Sequence, residues 1–419
     1  MKIMVLTSVY PQPDDAFFNV TPTVQYFSEK WAECGHEVFV IHNKSCFPFF
    51  FYWMPEKVRF SLSSKSGFNF PTKGSRKELH IQKQNLHVYR FPMVKVIPHG
   101  RYSRYTINKQ FQRIKKVAEY CDFRPDLIVS HWVNPQIELI IKLGDLYGAK
   151  TSLVFHDDCS PKAIEWFDLR NTIKKLDAVG CRSKSYAEYV QTELKLKKLP
   201  FICYSGIPDD LAELTEREYA DRKFQNKPVY LYVGRLVEYK NVDVIIEALH
   251  EYYGEKPFEF HIVGSGAEMD NLKSLVERYK IDKNVTFHGQ VPREKVFELM
   301  KEATYFVMVS KHETFGMVYI EAMLAGCVTI AGKGGGVDGV IIDGVNGFLS
   351  TEGSVNDLVS TFLRISTKNE NELVGLRQNA MQTALTFSDK NVAEKYLQDV
   401  DAWKEKECHK LTTFDECER

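Results

Sequence analysis

Short apolar runs alternate with amphipathic stretches along the whole chain. In the first half the runs are Ile3 to Thr7, Val38 to Ile41, Leu127 to Ser130, Ser152 to Phe155, Ala178 to Cys181 and Phe201 to Tyr204. Runs of this length predict strands covered on both faces, as in a parallel sheet. Between the first two, Val24, Phe27, Trp31 and Ala32 recur at helical spacing within Thr21 to Gly35, and Gly35 supplies a C-terminal stop. That is a βαβ unit. The second half repeats the style with Val229 to Val233, Phe258 to Val263, Val285 to Phe287, Tyr305 to Val309 and Val328 to Ile330. Strands alternating with helices in both halves predict an α/β protein of two doubly wound, Rossmann-like domains facing each other across a cleft. The turn-forming cluster Ser205-Gly206-Ile207-Pro208-Asp209-Asp210 is where the join is expected.

Composition narrows the class. The chain has 419 residues, 44% of them hydrophobic, which is too long for one ordinary core and enough for two. Its 55 basic and 55 acidic residues cancel, so no whole-molecule field points to nucleic acid. Nine scattered cysteines show no Cys-x-x-Cys spacing, and a reducing cytosol is the expected home. The start, Met1 to Thr7, has too few apolar residues for a signal-peptide core, and no later stretch approaches the roughly 20 apolar residues of a membrane span.

Two segments carry candidate chemistry. In Ser310-Lys311-His312-Glu313-Thr314-Phe315-Gly316-Met317-Val318-Tyr319-Ile320-Glu321, two glutamates stand eight apart after an apolar strand and at the opening of a helix. Eight residues is a little over two helical turns, so Glu313 is expected at the helix mouth and Glu321 on the same side further along. Unpaired amides and the dipole at a helix start suit Thr314 to Met317 to a phosphate, while the carboxylates suit sugar and ribose hydroxyls. The plain alternative is a helix with a favourable first-turn glutamate and a solvated second one. The other segment is Val233-Gly234-Arg235-Leu236-Val237-Glu238-Tyr239-Lys240-Asn241. Gly234 permits a tight turn, and Arg235 with Lys240 puts two cations at a strand's C-terminal edge, where a diphosphate leaving group gathers charge. Taken singly, such a pair is more often surface charge.

With these two segments in place, the C-terminal half resembles the GT-B glycosyltransferases of family 4, a large retaining group that includes sucrose, trehalose and lipopolysaccharide or capsule glycosyltransferases. The resemblance extends to Gly264-Ser265-Gly266, to His288-Gly289-Gln290-Val291-Pro292 in the place of the family's base-binding loop, and to Gly35-His36-Glu37-Val38. It implies that Glu313 with the amides of Phe315, Gly316 and Met317 holds donor sugar and phosphate. It likewise implies that Glu321 holds the ribose, that Arg235 and Lys240 hold the diphosphate, and that Gly234, Gly264 and Val291 line the nucleotide. Val154-Phe155-His156-Asp157 resembles the site where the family sets a histidine near the transferred sugar, which falls on His156. A structural histidine capping a strand is the alternative there, and His131 is a weaker candidate. The resemblance also implies domains at 1–205 and 206–388, with a C-terminal helical segment, 389–419, returning to the first.

The chain departs from the family twice. The loop Pro11 to Asn19 lacks the glycines usual after the first strand, leaving Asp15 to Phe18 to make the phosphate contact, and Gly334-Gly335-Gly336-Val337-Asp338-Gly339-Val340-Ile341 has Gly339 where glutamate is usual. The one Asp-x-Asp, Asp399-Val400-Asp401, lies in a helical C-terminal pattern, so no metal site and no cofactor are expected, and the cations and helix mouth take the diphosphate charge. With no carboxylate evidently placed as nucleophile, a same-face displacement assisted by the leaving phosphate is favoured, and a covalent route stays open. The expected reaction moves a hexose-type sugar from a nucleotide diphosphate, UDP ahead of GDP, to a cell-surface polysaccharide, lipid-linked or glycolipid acceptor. A catalytically silent sugar-nucleotide-binding partner of another transferase is the competing reading, and sugar-nucleotide epimerisation a third.

Charge is uneven despite the neutral total. Residues 56–120 hold fifteen lysines and arginines against three glutamates, a net +12, just after the aromatic block Phe47 to Pro55. Aromatics beside cations predict peripheral contact with an anionic membrane at its inner face, a buried loop plus a solvated basic face being the alternative.

Overall fold

The structure is a computed structural model that describes residues 1–11, 22–48, 53–55, 58, 77–95, 100–209, 211, 227–311, 313 and 315–403. The chain divides into two compact units, one of Met1–Cys181, Ala187–Phe201 and Ala393–Arg419, the other of Arg182–Tyr186 and Ile202–Val392. Ser205 to Asp209 therefore lies within the second unit, where Ile207 pairs with Ser388.

The first unit is built on β1 (Lys2–Thr7), α1 (Thr23–Glu33), β2 (Glu37–Cys46), β3 (Leu79–Lys83), β4 (Leu86–Val94), α2 (Arg104–Tyr120), β5 (Leu127–His131), α3 (Gln136–Tyr147) and β6 (Lys150–Phe155). It continues through short helices α4 (Pro161–Trp166) and α5 (Leu169–Thr172), then β7 (Ala178–Cys181), α6 (Lys184–Leu194), which joins this unit from Ala187, and β8 (Phe201–Ile202), which leaves it after Phe201. The sheet order is β3-β4-β2-β1-β5-β6-β7-β8, with β1 between β2 and β5 and parallel to both. Every residue of β5 is buried, which requires cover on both faces of the sheet and explains the unbroken apolar runs.

The antiparallel pair β3–β4 was not legible as strands, because it lies inside the basic segment. Its alternation, Leu79, Ile81 and then Leu86, Val88, turns about Gln84 and Asn85, and the charge count masks it. Arg90 is buried there and donates from Nε to the Lys77 carbonyl at 3.1 Å. Lys83 pairs with Glu29, Arg101 with Glu138 and Arg113 with Glu78. The +12 segment is thus partly structural rather than one solvated face. Of the aromatic block, Phe47 is core and Trp53 is 73% exposed. Phe49 to Tyr52, the cations Lys57, Arg59, Lys65, Lys73 and Arg76, and the loop Asp14 to Asn19 lie outside the described residues.

The second unit contains β9 (Val229–Val233), α7 (Val242–Tyr253), β10 (Glu259–Val263), α8 (Met269–Tyr279), β11 (Val285–Gly289), α9 (Arg293–Glu302) and β12 (Tyr305–Met308). After these come α10 (Met317–Leu324), β13 (Val328–Gly332), β14 (Phe348–Ser350), α11 (Val355–Ser366) and α12 (Glu370–Leu385). Its sheet runs β11-β10-β9-β12-β13-β14, and the registered pairs are all parallel. Helix α13 (Asp389–Ala402) starts in this unit and belongs to the first from Ala393 onward. Within the first unit Trp31 Nε1 donates to the Ala393 carbonyl at 2.9 Å, and the Tyr396 ring meets Phe27 edge-on at 5.3 Å. Asp399 and Asp401 pair with Lys395 and Lys150.

Candidate functional site

In the second unit the strand order reverses around β9, whose neighbours are β10 and β12. Loops leaving the C-terminal ends of such strands form the ligand crevice of doubly wound sheets. Here their backbones are stitched together. Gly234 N–H donates to Val263 O at 3.0 Å, Leu236 N–H to Ser265 O at 3.0 Å, Glu268 N–H to Leu236 O at 3.0 Å and Gly264 N–H to Gly289 O at 2.8 Å. Gly264 has φ +134°, and a Cβ on it would stand 1.8 Å from the Gly234 carbonyl oxygen. Only glycine fits that approach.

Arg235 and Lys240 rise from this floor. A short turn, Glu238–Lys240, ends at Asn241, whose φ of 51° reverses the chain and whose Nδ2 donates to Val309 O at 2.7 Å. Lys311 N–H donates to Tyr239 O at 2.8 Å. These two bonds tie the loop after β9 to the chain leaving β12 and bring the Lys240 ammonium against the Glu313 carboxylate, with side chains only 12% and 16% exposed. Arg235 is exposed and reaches the Tyr239 hydroxyl from Nη2 at 3.2 Å.

The helix expected to open at Glu313 starts later, at Met317, with Gly316 as its N-cap at φ 77°. A left-handed residue cannot continue a helix backwards, so Glu313 is a loop residue held by Lys240, and the eight-residue spacing to Glu321 is not two helical turns. Phe315 is buried, its ring 5.1 Å from Tyr204 and 6.0 Å from Phe387, so its side chain serves the core. Thr314 and His312 lie outside the described residues. Gly336 backs onto this turn, where a Cβ would meet the Phe315 nitrogen at 2.5 Å. Glu321 stands inside α10 and accepts from Arg293 Nη2 at 2.5 Å. Burial pushes its carboxyl above the usual range, and Arg293 pulls it back in part. Val291 sits between β11 and α9, on the same sheet edge beyond Gly264.

His156 belongs to the first unit, just past β6. His131 Nδ1 and His156 Nε2 are 3.0 Å apart, and the His156 ring stacks on Trp132 with centroids 3.9 Å apart. Asp158 accepts from the Val133 amide and, at 3.2 Å, from the His156 amide. Burial pushes the Asp158 carboxyl up to about 6 against those two amides.

Residues 215–383 match the family described as glycosyl transferases group 1. The chain is also 26% identical over 282 residues to an uncharacterised glycosyltransferase of Methanocaldococcus jannaschii, covering 64% of this chain and 72% of that one. A glycosyltransferase structure from Rickettsia africae superposes with a TM-score of 0.67 at 14% identity, over 96% of this chain and 98% of the other. The Anabaena HepE structure in complex with UDP gives 0.62 at 19% identity, over 96% and 100%. The chain has the GT-B fold of these glycosyltransferase structures. Two residues of the candidate site were not found from the sequence. Arg293 gave one weak signal, a cation at the first position of a helix where the dipole disfavours it. Trp132 gave none, because only folding stacks it on His156.

Proposed function

We propose that the protein is a retaining glycosyltransferase that moves a hexose-type sugar from a UDP-sugar to a saccharide or lipid-linked acceptor of the cell surface. The observation that carries this is the Arg235, Lys240 and Glu313 group above the stitched glycine floor of β9, β10 and β11. The two cations stabilise the departing diphosphate, whose charge grows as the glycosidic bond breaks, and so take the role a metal ion fills elsewhere. Glu313, already gripping Lys240, accepts from hydroxyls of the sugar, and Glu321 accepts from the ribose. The HepE complexes with UDP and with UDP-glucose support a uridine donor. His156, fixed by His131 and Trp132, is assigned to hydrogen-bond the transferred sugar or the acceptor. Peripheral contact with an anionic membrane is supported by exposed Trp53 and, within the cation-rich helix α2, by exposed Tyr105. No described helix is long and apolar enough to cross a membrane.

The test is donor-dependent release of UDP, measured with and without a chelator. Arg235→Ala and Lys240→Ala each raise the barrier by on the order of 3 kcal/mol, about a hundredfold in turnover at saturating donor. Normal turnover in both variants would sink the assignment, and binding without release in the wild type would favour a silent nucleotide-sugar-binding subunit.

A further inference from the structure

Glu321 projects from the middle of α10 with its side chain 14% exposed, and the cation that meets it comes from another element, the first residue of α9. Three facts make this pair more than a surface ion pair. The carboxylate is buried enough that its charge is costly unless compensated. Arg293 begins a helix, where the macrodipole disfavours a cation, so the local sequence gains nothing from arginine there. And Arg293 immediately follows His288 to Pro292, the segment at the end of β11, so it ties that segment to α10 across the sheet edge.

We infer that Arg293 is a positioning residue for nucleoside recognition, holding the Glu321 carboxylate in one rotamer so that it meets a vicinal ribose diol. The inference rests on the donor reading given above. Each carboxylate oxygen accepts two hydrogen bonds, so Oε1 can keep the guanidinium and still receive a hydroxyl, while Oε2 receives the other. A carboxylate already locked by a neighbour loses less freedom when the diol arrives, which raises affinity for the ribose form specifically. Without Arg293 the buried carboxyl is a poorer, less ordered acceptor, and the diol is no longer distinguished from its deoxy counterpart.

The experiment is calorimetric titration of the full chain with UDP and with 2′,3′-dideoxy-UDP, for wild type, Arg293→Ala and Arg293→Lys. Wild type is expected to prefer UDP. Arg293→Ala is expected to lose roughly tenfold in affinity for UDP and little for the dideoxy form, so that the preference collapses, and Arg293→Lys to restore part of it. The arginine side chain is 45% exposed, so the alanine variant is expected to fold, and the lysine variant provides the reading if it does not. Unchanged preference in Arg293→Ala, or an equal loss for both nucleotides, would overturn the role of Arg293 alone. A wild type that binds neither nucleotide would overturn the donor reading, and this inference with it.

Discussion

The two units hold their strand ends by different means. In the second, the chains leaving β9, β10 and β11 are bonded amide to carbonyl, and glycines let them touch. In the first, the corresponding edge is held by side chains. Gln110 Nε2 donates to Asn43 Oδ1 at 2.6 Å, Asn43 Nδ2 to Gln136 Oε1 at 3.2 Å, and Gln136 Nε2 to Ser8 Oγ at 2.6 Å, joining α2, β2, α3 and the loop just past β1. A main-chain floor dictates few identities and dictates them strictly. A side-chain network dictates many, each negotiable if its partner changes. The second unit therefore carries short, readable motifs, while the network of the first is spread along its chain.

Gly264→Ala is expected to have the largest effect on the main-chain floor. A Cβ 1.8 Å from a carbonyl oxygen at φ +134° cannot be relieved by a side-chain shift, and the variant is expected to lose on the order of 4 kcal/mol in urea unfolding. Gly148→Ala, at φ +65° with nothing within 4 Å of the added carbon, should cost only about 1 kcal/mol. Equal losses would mean that the stitched floor is no stiffer than a helix C-cap.

Next in size is the buried acid of the side-chain-built unit. The folded Asp158 carboxyl titrates at about 6 against an ordinary 3.8, so in that window the folded state binds more protons than the unfolded one. The contribution of the protonated carboxyl is complete below the ordinary value and is lost as pH rises through about 6. The stability of Asp158→Asn relative to wild type should thus improve between pH 4 and 7, by on the order of 2 kcal/mol. A difference independent of pH, measured by urea unfolding across that range, would show that Asp158 is ionised throughout.

The smallest expected effect separates core from surface in the aromatic block. Trp53→Ser should leave stability within about 0.5 kcal/mol while weakening salt-sensitive sedimentation with anionic vesicles. Phe47→Ser, in the core, should cost several times more. Vesicle binding that survives Trp53→Ser would remove that ring from the membrane contact.

Much of the candidate donor site was legible because its chemistry is local. Gly234 with Arg235 and Lys240 follows one strand, and Glu313 with Gly316 and Glu321 follows another, so each set sits within a dozen residues. What the spacing could not say is that Gly316 breaks the helix and leaves Glu313 to Lys240, or that Glu321 faces an arginine 28 positions away. The β3–β4 hairpin was hidden for the opposite reason, since counting its cations concealed its alternation.

By itself the sequence determined the strands that its apolar runs mark, because runs without alternation are satisfied by burial on both faces of a sheet. It also determined the glycines, because no other residue survives where two backbones meet. The tertiary structure alone decided which charge meets which: Lys240 with Glu313, Arg293 with Glu321, His131 with His156. The physical reason is distance. Electrostatic and hydrogen-bond energies fall away within a few ångströms, and only the packed sheet brings residues from different loops that close.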